Sequence, residues 1–373
     1  MDKHYLTPLF TPESIVVFAG RLDEPDTQTA QAASRIEAIR AQRFTGVLQF
    51  LDIHTSGTLA DLAQAKADLA IIALDHKDIA PALELAGRMA CKAALVISSG
   101  ITSELAGELK KIARREGIHL LGPNSLGIQR PQLQLNASAA GPLAGKGSLA
   151  LVSQSGALTS SMLDWARSNG VGFSSVISLG PHTSVDISQA LDFLANDGQT
   201  HSIVVYMEGI SNARRFMSAL RSAANAKPVV VLKAGRKPAG NAAAKTHSGT
   251  IVGSDDVFDA ALRRAGAVRV RSFVELFSAA KCLASRYRPV GKRLAIITNG
   301  GGPGVLAADW ISELGLELAQ LSPGTAEELK KKLLEMAKEE GLDYALIVRE
   351  MTPNMSELKK VFRVDVKTGE EKL

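Results

Sequence analysis

From Ser14 to Leu121 short apolar runs alternate with single helical stretches, and no other feature of the sequence narrows the fold as far. The runs are Ile15–Phe18, Val47–Leu51, Leu69–Leu74, Ala94–Ile97 and Ile118–Leu121. Helical patterns fall between them, near Thr29–Arg40, Leu59–Ala65, Ile79–Met89 and Ser103–Glu116. Strands that are apolar throughout have both faces covered, and one helix per crossover makes neighbouring strands parallel. A ligand of such a sheet is expected in the crevice outside the carboxyl ends of its strands.

After a Pro- and Gly-containing connector, 131–147, the pattern starts again with Leu149–Val152, Ser175–Leu179, Ile203–Tyr206 and Val229–Leu232 as strands, and it closes on the amphipathic helix Phe273–Arg286. A third unit opens with Arg293–Thr298, a Gly-rich turn and a helix from Pro303 to Leu314. The expected class is therefore α/β: a Rossmann-like domain over 1–142, followed by flavodoxin-like open parallel-sheet organisation over 143–288. Residues 289–333 read as the start of a further domain, truncated. Residues 334–373 form a tail dense in Lys and Glu, with a charged helix from Glu327 and strands at Tyr344–Val348 and Val361–Val366; no role is assigned to it.

Composition excludes several classes. Apolar residues make up 46% of 373 and aromatics only 5%, which favours layers of small and branched aliphatics over an aromatic-rich binding module. The net charge of +5 is scattered rather than gathered in stripes with interleaved aromatics, so no nucleic-acid partner is expected. Two cysteines in apolar helical patterns indicate neither a disulfide framework nor a metal site, and the remaining histidines lack metal-ligand spacing. The N-terminus has no apolar signal region and no run approaches the roughly 18 apolar residues of a membrane span. A cytoplasmic location without membrane association is expected.

Chemistry concentrates at strand ends. His247 lies in a basic, flexible loop, Lys245-Thr-His-Ser-Gly-Thr250, that follows the strand ending at Leu232 and the segment Lys233-Ala-Gly-Arg236. An imidazole displayed on such a loop is suited to act as a mobile nucleophile. The turn Ser153-Gln154-Ser155-Gly156 links a strand to a helix, where backbone N–H groups and the helix dipole favour an anion. Gly300-Gly301-Gly302 repeats that arrangement in the third unit, with Pro303 in the first helical turn. Glu208 ends an apolar strand, where a carboxylate can orient an imidazole. Around the first sheet Gly20, Ser98, Ser99, Gly100, Pro123 and Asn124 all follow strands and so line one crevice. The loop after Gly20 lacks the further glycines of a dinucleotide fingerprint, which disfavours NAD.

Six ordered motifs, Leu121-Gly-Pro-Asn-Ser-Leu-Gly127, Ser153-Gln-Ser-Gly156, Tyr206-Met-Glu-Gly209, Lys233-Ala-Gly-Arg236, Thr246-His-Ser-Gly249 and Thr298-Asn-Gly-Gly-Gly-Pro-Gly304, resemble the NDP-forming acyl-CoA synthetase superfamily, of which succinyl-CoA synthetase is a member. The resemblance implies that the first crevice binds CoA or acyl-CoA through the residues named above. It implies that His247 is transiently phosphorylated and that Glu208 orients it. The helix starts at Ser153–Gly156 and Gly300–Gly302 would grip the phosphoryl group. It also implies an ATP-grasp domain holding ATP or ADP with Mg²⁺. No segment here matches that domain, so an ATP-grasp subunit or domain is an expected partner, beside a CoA thioester and phosphate, in a homo- or hetero-oligomer.

Leu135-Asn-Ala-Ser138, Met162-Leu-Asp-Trp165, Ile210-Ser-Asn-Ala-Arg-Arg-Phe216 and Leu276-Phe-Ser278 are also similar to the N-terminal half of bacterial protein lysine acetyltransferases of the Pat type. In these a GNAT domain follows the synthetase-like region, which serves to bind acyl-CoA or regulate. Two functions are thus expected in competition: a synthetase part working through phosphohistidine, or an acyl-CoA-binding regulatory region.

Overall fold

The computed structural model describes residues 3–19, 38–39, 43–53, 66–180, 183–240, 254–285, 290–296, 298, 301–339, 344–351, 358–365 and 371–372. They divide into two compact units, Met1–Arg286 and Tyr287–Leu373.

The first sheet of unit one holds β1 (Ser14–Ala19), β2 (Val47–Asp52), β3 (Leu69–Ile72), β4 (Ala93–Val96) and β5 (His119–Leu121) in the order β2-β1-β3-β4-β5, all parallel. Its apolar runs have a simple cause. Ile15, Val17, Leu69, Ile71, Ala93 and Leu95 enter one core, while the intervening Val16, Phe18, Ala70, Ile72, Ala94 and Val96 enter another. Successive side chains point to opposite faces, and here neither face is wet. Helix α1 (Thr7–Phe10) precedes the sheet, and α2 (His76–Arg88) and α3 (Ser103–Glu116) flank β4. The ends of α3 are set locally: the Thr102 hydroxyl accepts from Leu105 N at 3.3 Å, Arg114 and Arg115 occupy the last turn, and Gly117 closes the helix at φ 69°.

The second sheet contains β6 (Gly127–Arg130), β7 (Leu135–Ser138), β8 (Lys146–Ser153), β9 (Phe173–Ser178), β10 (Ser202–Met207), β11 (Val229–Lys233) and β12 (Val268–Val270), ordered β12-β11-β10-β8-β9-β6-β7. Strands β12 to β9 are parallel; β6 runs antiparallel to β9, and β7 antiparallel to β6. Helices α4 (Gly156–Ser168), α5 (Ile187–Asn196), α6 (Ala213–Ala226), α7 (Asp255–Ala265) and α8 (Phe273–Ala284) complete it. The chain is thus α/β, with a Rossmann-like sheet and a flavodoxin-like sheet. Residues 127–138, which precede the 142/143 boundary expected from sequence, form the antiparallel edge of the second sheet. That edge is hard to read because Leu135 and Ala137 are buried while Asn136 and Ser138 are half-buried, a short alternation enclosed by Pro and Gly.

The two sheets meet at β5. Backbone N–H groups of Ser184 and Val185 both donate to Leu120 O at 3.1 Å, so the segment after β9 covers what would be an open edge of the first sheet.

Unit two contains the short parallel pair β13 (Arg293–Leu294) and β14 (Glu317–Leu318), helices α9 (Gly301–Glu313) and α10 (Pro323–Glu339), and an antiparallel sheet of β15 (Tyr344–Met351), β16 (Leu358–Asp365) and β17 (Glu371–Lys372). Among the described residues of the apolar run expected as a strand from Arg293 to Thr298, Arg293 and Leu294 are the ones paired.

Candidate functional site

Loops at the carboxyl ends of β4 and β5 form the first crevice, and Asn124 ties them together. Its side-chain NH₂ donates to Ile101 O at 2.8 Å, its amide oxygen accepts from Ile101 N at 3.0 Å, and its backbone N–H donates to Ser98 O at 3.2 Å. Asn124 adopts φ 57°, a left-handed conformation that Asn tolerates better than most side chains. Ser98 is buried and donates its hydroxyl to Leu74 O at 2.7 Å. Gly122, at φ 84°, lies so close to β4 that a Cβ would sit 2.2 Å from Val96 O. Pro123 follows through a cis peptide. Ser98 and Asn124 are therefore spent on shaping the crevice, while Ser99 and Gly100 are exposed, with the Ser99 carbonyl 3.1 Å from His76 Nε2. Gly20 lies outside the described residues.

The turn from β8 to α4 is wired just as fully. Ser153 is buried, its hydroxyl donating to Ser155 O at 2.9 Å and accepting from Ser155 N at 3.1 Å. Ser155 caps α4 by accepting from Leu158 N at 3.3 Å. Gln154 reaches across to β10: its amide oxygen accepts from Glu208 N at 2.6 Å and Gly209 N at 3.2 Å, and its NH₂ donates to Gly209 O at 3.1 Å. Register makes this possible, since Ser153 pairs with Tyr206 in adjacent parallel strands. The structure thus brings Glu208 to the N-terminus of α4, with the side chain of Gln154 as the link.

Glu208 is buried. Two residues earlier, on β10, Tyr206 is hydrogen-bonded to it. Burial first, then the Glu208 charge and hydrogen bond, push the Tyr206 hydroxyl up to about 12. On the neighbouring strand Lys233 is also buried. Burial holds its ammonium below the usual lysine range, against the pull of Asp255; Arg269 lowers it further and Glu208 raises it. Its Nζ donates to Ala234 O and lies 5.6 Å from the Phe258 ring. Asp255, opening α7, pairs with Arg269 and, at 3.5 Å, with Arg236. These contacts fasten both ends of the segment that carries His247. His247 itself, with the whole of 241–253, lies outside the described residues. Sequence reasoning placed Lys233 and Tyr206 in motifs but gave neither a role. The i, i+2 spacing of Tyr206 and Glu208 was the available signal.

The crevice and the turn adjoin. Ser125 donates to Ser178 O at 2.5 Å, and Leu126 N donates to the Ser178 hydroxyl at 3.3 Å. A Cβ on Gly156 would lie 3.1 Å from Leu126 Cγ. In unit two, Gly301 and Gly302 form the first turn of α9, and a Cβ on either would meet nothing within 4 Å. Gly300 lies outside the described residues. Among the described residues no helix is long and apolar enough to cross a membrane, and no group of three or more His, Cys, Asp or Glu could hold a metal ion.

Residues 146–283 match the succinyl-CoA ligase like flavodoxin domain. The acetate–CoA ligase [ADP-forming] I of Archaeoglobus fulgidus is 42% identical over 272 residues, 71% of this chain and 39% of that protein. The alpha subunit of the acetate–CoA ligase [ADP-forming] I of Pyrococcus furiosus is 38% identical over 71% of this chain and 58% of its own length. Among solved structures, the dinucleotide forming acetyl-coenzyme A synthetase 1 of Ca. Korarchaeum cryptofilum, in complex with phosphate and ADP, superposes with a TM-score of 0.77 at 29% identity, covering 88% of this chain and 72% of that one. The chain spans 39% and 58% of the length of these two ligases.

Proposed function

We propose that this chain is the CoA- or acyl-CoA-binding part of an ADP-forming acyl-CoA synthetase, acetyl-CoA being the first substrate to test, and that it works through an acyl phosphate and a phosphohistidine. The observation that carries this reading is that Leu126, leaving the crevice, lies so near the start of α4 that a Cβ on Gly156 would sit 3.1 Å from its Cγ. A thioester held in the crevice would present its carbonyl beside the turn that favours phosphate. Phosphate oxygen attacks that carbonyl and the thiolate of CoA leaves, giving an acyl phosphate. A ring nitrogen of His247 then attacks phosphorus, and the P–O bond to the acyl group breaks, releasing carboxylate. Glu208, buried and held by Gln154, accepts the N–H of the other ring nitrogen and stabilises the imidazole as charge develops. Delivery to ADP belongs to an ATP-grasp domain or subunit, which would bring its own Mg²⁺.

Incubation with acetyl-CoA and labelled phosphate tests the scheme. Acid-labile label is expected on the wild type and absent from His247→Ala. Absence of label from the wild type, or its persistence in the variant, overturns the phosphohistidine route. Calorimetric binding of CoA without label would then favour the acyl-CoA-binding regulatory region of a GNAT lysine acetyltransferase, and absence of CoA binding would reject both readings.

A further inference from the structure

Lys110, Arg114, Ile118, His119, Ser184 and Gln189 line a cavity of about 210 Å³ between α3, the first residue of β5 and the segment entering α5. It lies away from the CoA crevice. His119 opens β5, whereas the crevice residues Pro123 and Asn124 follow its end, and a three-residue strand separates the two by roughly 10 Å.

The lining is cationic without compensation. Lys110 and Arg114 stand four residues apart on one face of α3, where like charges repel unless something negative lies between them. Among the described residues no Asp or Glu lines the cavity. Nearby acids are engaged elsewhere: Asp186 with Arg215 and the Gln189 backbone N–H, Asp192 with His4, and Glu116 with Arg115. The Lys110 ammonium is half-buried, and burial alone holds it below the usual lysine range. His119, whose ring is tilted at 53° and 5.3 Å from the Tyr5 ring, is lowered by burial and then by His4. A partly desolvated cation with no carboxylate opposite it costs free energy unless an anion supplies the charge. The Ser184 hydroxyl already donates to Leu120 O at 2.9 Å, so recognition here would rest on charge. The cavity is smaller than the roughly 300–1,000 Å³ of ordinary ligand pockets, which restricts the occupant to a compact anion.

We propose that this cavity is a second anion site, separate from the turn at Ser153–Gly156, for a small phosphoryl anion carrying two or more negative charges. Its occupant would bridge α3 of the first sheet to the start of α5 beyond the second, at the seam where Ser184 and Val185 clasp β5. Binding to the folded state alone raises the melting temperature by mass action, so the site would tighten that seam.

The test uses the intact chain saturated with CoA, titrated calorimetrically with pyrophosphate. The wild type is expected to bind pyrophosphate with CoA already bound. The double variant Lys110→Ala, Arg114→Ala is expected to lose at least tenfold in affinity while retaining its circular dichroism spectrum and CoA binding. Lys110→Met, Arg114→Met, which keeps the aliphatic stems against the helix, serves if the alanine pair fails to fold. Succinate is expected to bind at least tenfold more weakly than pyrophosphate. Unchanged affinity in the folded double variant, loss of pyrophosphate binding on CoA saturation, or equal binding of succinate would each overturn the proposal.

Discussion

The two glycine-bearing helix starts solve one problem in opposite ways. At Ser153–Gly156 every polar side chain is committed: Ser153 to the turn, Ser155 to the cap, Gln154 to the loop bearing Glu208. At Gly301–Gly302 there is only backbone, with open space where side chains would stand. Pre-wiring at the first turn means that an anion there would meet groups already in place, and that one side-chain change can unfasten the acid across the sheet.

The largest expected break comes at Glu208. Glu208→Gln should lower the rate of phosphate labelling by about 10²-fold or more, the scale of positioned acid–base groups, with the melting temperature little changed. Equal labelling rates would show that the acid does not serve the histidine. Next is Gln154→Ala, which strands two buried N–H groups and one carbonyl. Stability measured by urea unfolding should fall by roughly 2–3 kcal/mol, and labelling should slow even in the folded fraction.

A pH measurement probes the same turn. The Tyr206 hydroxyl is raised from 10 to about 12 in the folded protein, so the folded state holds this proton while the unfolded chain releases it. The contribution is intact below pH 10 and is lost as pH rises from 10 through about 12, with an upper size on the order of 3 kcal/mol. Tyr206→Phe should flatten that alkaline loss; an unchanged slope would detach Tyr206 from the effect.

The smallest effect sharpens the contrast from the other side. Gly302→Ala fills empty space within a helix and should stabilise unit two by up to about 0.5–1 kcal/mol, because alanine has less chain entropy to lose. Destabilisation would mean that the second turn is as tightly built as the first. Gly156→Ala, whose Cβ would press on Leu126 at 3.1 Å, should instead cost stability.

Much of the architecture was legible because it is periodic. Leu69–Ile72 and Ala93–Val96 announce strands covered on both faces, and Thr102 with Gly117 brackets a helix whose limits follow from caps within a turn of each end. The edge strand Leu135–Ser138 was not legible, since four alternating residues among prolines and glycines look like a loop until β6 and β9 give them a partner. Ser98 and Asn124 follow strands, as their sequence positions indicate, but what their side chains do there is not written in the sequence. Both side chains bond backbone inside the protein, which residue type and spacing do not disclose.

The turn at Ser153–Gly156 shows where the division falls. Sequence alone determined that a small, hydroxyl-rich turn would follow an apolar strand and open a helix, because strand period, capping chemistry and glycine freedom act among residues within a few positions of one another. Tertiary structure alone decided that Gln154 would hold Glu208, 54 residues away, and that Leu126 would carry the edge of one crevice against Gly156 of the other. Those contacts depend on which strands become neighbours, and that order is set by how two sheets share one core rather than by any local pattern.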